Sequence, residues 1–94
     1  MSLCYQGSSN RHMQRKTEKA KAQQLRQSSW WKTICQRTNC YYCAKLISGK
    51  DVTMDHIVPI SRGGRSTRGN LVPACKPCNT IKKDRTAVDW LLEN

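Results

Sequence analysis

The run CYYCAKLISGKDVTMDHIVPISRGGRSTRGNLVPACKPCN, residues 40–79, decides how this chain is built. It opens and closes on a Cys-x2-Cys pair, Cys40/Cys43 and Cys75/Cys78, with thirty-one residues between them. Each pair sets two sulfurs on a tight turn able to fill two corners of a tetrahedron, so the four together are expected to form a Cys4 zinc site. Disulfides and unliganded thiols are the alternatives; a reducing compartment disfavours the first, and the spacing of the pairs puts the metal ahead of the second. Four thiolates leave zinc no position for water, so this ion is expected to hold structure and do no chemistry. Cys4 and Cys35 have no partner at such spacing and are expected to be free thiols.

A staple matters in a chain of 94 residues that is 37% apolar and has no Phe, because the core available to it is thin. Zinc-finger peptides gain on the order of 10 kcal/mol from their metal. Closing the two pairs around one ion would also fold the segment from Ala44 to Ala74 into one unit, with Asp55 and His56 inside it.

Seventeen Lys and Arg against six Asp and Glu give a formal charge of +11, and a field of that sign points to a polyanion as partner. Nucleic acid fits better than a membrane surface, since the basic residues alternate with polar ones and no amphipathic stretch backs them with an apolar face. There is no run of about eighteen apolar residues, and Met1 to Gly7 lacks the charged start and apolar middle of a secretory signal. The expected location is therefore cytoplasmic.

Outside the central run, residues 1–28 read as a basic polar arm, helical in part or disordered, with Arg11, Arg15, Lys16, Lys19, Lys21 and Arg26 available to a phosphate backbone. His12 within it is expected at the surface. The compact domain is placed at residues 29–94, beginning where Trp30, Trp31 and Ile34 supply the first apolar cluster. Leu46-Ile47 and the turn Ser48-Gly49-Lys50-Asp51 suggest a hairpin arm, and Val52 to Val58 is a strand candidate ended by Pro59. The polar loop from Ser61 to Gly69 precedes a short strand candidate, Asn70 to Ala74. A helix is expected from about Pro77 to Arg85, and Thr86-Ala87-Val88-Asp89 reads as the cap of a last short helix with Trp90, Leu91 and Leu92 facing inward. The fold class expected is α+β.

Neighbouring residues on a strand point to opposite faces, and a lone strand histidine is ordinarily structural. What surrounds this one is unusual in combination. Asp55-His56-Ile57-x-Pro59, then Gly63-Gly64, Asn70-Leu71, and Cys75-x2-Cys78-Asn79-x2-Lys82, in this order and at these spacings, resemble the HNH endonuclease family. The resemblance covers about Cys40 to Lys83. It implies a ββα-metal finger: two antiparallel strands joined by a loop, then a helix, with a divalent ion between strand and helix.

By the same resemblance His56 would be the general base that draws a proton from the attacking water, and Asp55 and Asn79 would ligate the catalytic ion. Asn70 would brace the loop behind the base. Many relatives carry His where Asn79 stands; an amide oxygen is the harder ligand and shifts the expected ion to Mg2+ first and Mn2+ second. Arg62, Arg65, Arg68, Lys82 and Lys83 are the expected DNA contacts. The implied function is a DNA endonuclease, nicking or weakly sequence-specific, acting as a monomer or homodimer. The alternatives are a non-catalytic zinc module that binds nucleic acid and a nuclease subunit dependent on a protein partner in a phage or mobile-element machine.

Overall fold

The computed structural model describes the backbone of residues 3–82 and the side chains of residues 13–82. Lys83, the helix expected at 86–92, and the side chains of Cys4 and His12 lie outside the described residues. Within them the chain is a small mixed assembly of helix and strand: α1 (Leu3–Arg26), α2 (Ser29–Gln36), β1 (Thr38–Asn39), β2 (Leu46–Ile47), β3 (Val52–His56), β4 (Leu71–Cys75) and α3 (Lys76–Lys82). The strands make two antiparallel pairs, β1 with β2 and β3 with β4.

α1 meets no Pro between its ends, and its polar sequence makes the expected arm a continuous helix through Arg26. It does have an inward face, which composition did not announce: Glu18 and Ala22, one turn apart, are each 1% exposed. Ser28 then breaks and restarts the chain. Its hydroxyl accepts from the Trp31 N–H and caps α2, whose Trp31 is buried.

β1 and β2 flank the first cysteine pair, and Asn39 closes the turn between them by donating to the Ala44 carbonyl at 2.9 Å. Ala44 sits at φ +64°, the left-handed region that favours glycine. The pattern of residues 46–58 suggests that Leu46-Ile47 and the following strand form a hairpin. Instead Leu46-Ile47 pairs backwards with Thr38-Asn39, and residues 49–51 form a short 3-10 turn that carries the chain across to β3.

β3 and β4 pair from Val52↔Cys75 to His56↔Leu71. Both expected strands are thus present, with β3 ending two residues early at His56 and β4 shifted by one at each end. The core is the cluster Cys40, Ile47, Ala74, Cys75 and Cys78, with Tyr42 and Val52 packed on it. That small core lies around the sulfurs, as expected of a chain that relies on a staple. Among the described residues no helix is long and apolar enough to cross a membrane.

Candidate active site

The Sγ atoms of Cys40, Cys43, Cys75 and Cys78 all lie within 4.8 Å of one another. A tetrahedral ion with metal–sulfur bonds of about 2.3 Å needs sulfur separations of roughly 3.8 Å, and Cys43 and Cys75 stand at 3.8 Å. The donor set fits a metal such as zinc. Burial pushes the Cys75 and Cys78 thiols up, and burial also opposes ionisation of Cys40. There the backbone around Cys43, Cys75 and Tyr42 prevails and draws the thiol down to about 6. So much potential negative charge in one place needs a cation to become fully ionised.

The first knuckle reaches the second site directly. Tyr42, between Cys40 and Cys43, donates its hydroxyl to Asp55 Oδ2. Burial first, then the Asp55 carboxylate, raises the Tyr42 pKa, which keeps the phenol protonated as a donor. Asp55 is buried, and Lys82, fully buried itself, closes the arrangement with its ammonium 3.2 Å from the same oxygen and 3.1 Å from the His56 carbonyl.

Strand alternation places Thr53 and Asp55 on the face that α3 crosses. Thr53 spends its one hydroxyl proton on the Ala74 carbonyl at 2.7 Å, so its oxygen can only accept from Asn79. That fixes the amide: Asn79 Nδ2 donates to Thr53 at 3.0 Å, and Oδ1 is the atom able to accept or to ligate. Asp55, His56 and Asn79 line one cavity of about 250 Å³, together with Met54, Pro59, Ile60 and Ser61. A carboxylate and an amide oxygen in one pocket are hard donors that fit Mg2+ or Mn2+.

The loop from 57 to 70 forms the other wall. Asn70 accepts from the Val58 N–H at 2.9 Å and donates to the Val58 and Arg65 carbonyls at 3.1 and 2.8 Å. Those three bonds tie the loop's two ends together. Gly64 is there because of contact: a Cβ would sit 1.7 Å from the Val58 carbonyl oxygen. His56, on the opposite strand face from Asp55, bonds through Nε2 to Ser66 Oγ at 2.9 Å. Burial lowers its pKa, against the pull of the nearby Asp55 charge, which favours the neutral imidazole at pH 7.

The family model for HNH endonucleases matches residues 40–89, more than half of the chain. The chain belongs to the HNH endonuclease family. It is also 39% identical over 64 residues to the CRISPR-associated endonuclease Cas9 of Corynebacterium diphtheriae, an alignment that takes in 65% of this chain and 6% of that protein's length. The family relationship supports nuclease chemistry and a nucleic-acid substrate at that general level.

Within this HNH chain the structure brings Asp55, His56 and Asn79 to one cavity and sets Asn70 in the loop, where its side chain bonds to Val58 and Arg65. Arg62, Arg65 and Arg68 are exposed, with Arg65 3.9 Å from Glu18 and Arg68 over the Trp30 ring at 5.3 Å. A second cleft of about 320 Å³, lined by Gln14, Arg15, Ile60, Ser61, Arg62 and Gly63, shares Ile60 and Ser61 with the first. Lys82 was expected at the surface facing phosphates. It is enclosed beside Asp55, because the turn after Asn79 points it back at β3.

Sequence reasoning missed Tyr42, Thr53, Ser66 and Glu18. Tyr42 and Thr53 look like ordinary core and strand residues. Glu18 carried a signal that went unused: it is the one carboxylate in the first fifty residues.

Proposed function

We propose that this chain is a metal-dependent DNA endonuclease that hydrolyses phosphodiester bonds, nicking DNA with weak sequence specificity. The observation that carries the reading is the shared cavity of Asp55, His56 and Asn79. His56, whose burial favours the neutral imidazole, accepts a proton from the water whose oxygen bonds to phosphorus. The bond to the leaving oxygen then breaks, and that oxygen takes a proton from solvent. Asp55 and Asn79 Oδ1 would hold the divalent ion, Mg2+ by preference and Mn2+ next. When bound, the ion neutralises charge on the phosphate and the leaving oxygen.

The chain's other residues prepare this site. Asn70 keeps the loop closed behind His56, while Tyr42 and Lys82 hold the Asp55 carboxylate in place. Arg62, Arg65 and Arg68 contact the DNA backbone, and Arg15 extends that track into the adjoining cleft. Lys83 remains a proposed contact of the same kind. The four cysteines, Cys40, Cys43, Cys75 and Cys78, would hold a structural zinc, and so fix Tyr42 between the first pair and Asn79 beside the second.

Plasmid nicking in Mg2+ by the zinc-loaded chain, beside His56→Ala, tests the reading. Loss of nicking in the variant is expected; equal cutting by both would remove His56 as the base. Cut sites mapped on a long duplex are expected to be widespread. The second reading is a nuclease subunit dependent on a protein partner in a phage or mobile-element machine. Its mark would be a purified chain inactive alone and restored by a packaging or replication protein.

A further inference from the structure

We propose that α1 belongs to the catalytic apparatus: Glu18, acting through Ser66, fixes the tautomer and orientation of His56. The proposal rests on reading His56 as the base, but its geometry stands apart from that reading. Ser66 is 5% exposed and Glu18 1%, so the bonds between these two are shielded from water. Ser66 N–H donates to Glu18 Oε1 at 2.5 Å, and Ser66 Oγ donates to the Glu18 backbone carbonyl at 2.5 Å.

A serine hydroxyl has one proton. Once that proton is committed to the Glu18 carbonyl, Ser66 Oγ can only accept from the imidazole. His56 Nε2 must therefore carry the ring hydrogen, and Nδ1 is left with the lone pair that a base requires. The direction of the bonds, and not merely their presence, selects the working nitrogen.

Glu18 holds Ser66 at two points: its backbone carbonyl takes the hydroxyl proton and sets the direction, and its carboxylate takes the N–H and keeps Ser66 in place. Its carboxylate is held in turn by Lys21 at 3.4 Å and Arg65 at 3.9 Å, both on Oε2, and the Ser66 bond lowers its pKa despite burial. An acid enclosed in a basic helix is expensive to desolvate unless its bonds are used. Here they clamp the loop on which Ser66 rides. Ser66 and Glu18 are positioning residues; neither needs to touch DNA.

The test uses the full zinc-loaded chain and two readouts. In a 1H–15N spectrum of Mg2+-free protein, the His56 Nε2–H proton is expected to be visible in wild type and in Glu18→Gln, whose amide oxygen still accepts from Ser66. It is expected to exchange away in Ser66→Ala and to weaken in Glu18→Ala. In Mg2+-dependent cleavage of a short duplex, Ser66→Ala should lose roughly 10- to 100-fold in kcat with KM within about twofold, as misplacement of a reacting group does. Glu18→Ala should add nothing in the Ser66→Ala background. Should Ser66→Ala not fold, Ser66→Cys, of similar size but a poor acceptor, replaces it.

A Ser66→Ala protein that keeps the Nε2–H signal and wild-type kcat would overturn the relay and leave the nuclease reading intact. A wild type that shows the signal yet cuts no duplex would overturn the nuclease reading and support the relay as a structural device.

Discussion

Lys82→Met leaves a buried carboxylate without its cation. The Lys82 ammonium is fully enclosed and 3.2 Å from Asp55 Oδ2. At an effective dielectric near 20 that separation corresponds to about 5 kcal/mol of attraction. Desolvation of both charges offsets part of it, so the pair's net worth is smaller. Removing one member is another matter: the charge left behind keeps its desolvation penalty, and such losses run about 3–5 kcal/mol. Tyr42 still donates to Asp55, which argues for the low end, about 3 kcal/mol. In a chain of this size that corresponds to a Tm lower by about 12 °C or more.

The same geometry predicts what reverses the loss. A divalent ion beside Asp55 supplies the missing positive charge, and at roughly a hundred times its Kd it returns about 2.7 kcal/mol. In wild type the ammonium already occupies that face of the carboxylate, so Mg2+ should raise the Tm less. Calorimetry of both zinc-loaded proteins across a Mg2+ titration measures the difference. Asp55→Asn with Lys82→Met should recover most of the stability, because neither charge is then stranded. A Lys82→Met protein within about 1 kcal/mol of wild type, with no larger Mg2+ response, would refute the reasoning.

Zinc removal by a chelator should unfold the domain and abolish nicking together, with circular dichroism and cleavage lost at the same chelator concentration. Gly64→Ala should destabilise by about 3 kcal/mol or more, read by urea denaturation, since its Cβ would overlap the Val58 carbonyl. Ala44→Gly should stabilise by about 1 kcal/mol in the same assay by relieving the left-handed backbone. Glu18 has its pKa lowered by the Ser66 N–H, against burial, with help from Lys21 and Arg65. Its contribution is thus present above the ordinary carboxylate value of 4.5 and lost as pH falls through the folded value. Melting curves should show wild type losing more stability than Glu18→Gln below that pH.

The parts of this molecule legible in the sequence are those set by spacing. Two Cys-x2-Cys pairs name their own partners, and the four sulfurs do converge. Asp55, His56 and Asn79 are readable because motif order fixes them, and all three reach one cavity. Strand ends were off by one or two residues because pairing, not Pro59 alone, stops β3 at His56. Contacts formed across the fold left no local trace. Glu18 and Ser66 are 48 residues apart, and a lone acid among basic residues reads as a solvated charge. Lys82 likewise follows Asn79 in a basic run, and only the approach of α3 to β3 turns its ammonium inward.

Crystals of the zinc-loaded chain grown with a short DNA duplex and Mn2+ put the metal ligands to the test through anomalous scattering. The expected result is a manganese peak in the cavity, bonded to the Asp55 carboxylate and to Asn79 Oδ1, with the His56 ring turned toward the adjacent phosphate. Zinc density on the four cysteines with no manganese between Asp55 and Asn79, DNA being bound, would contradict it.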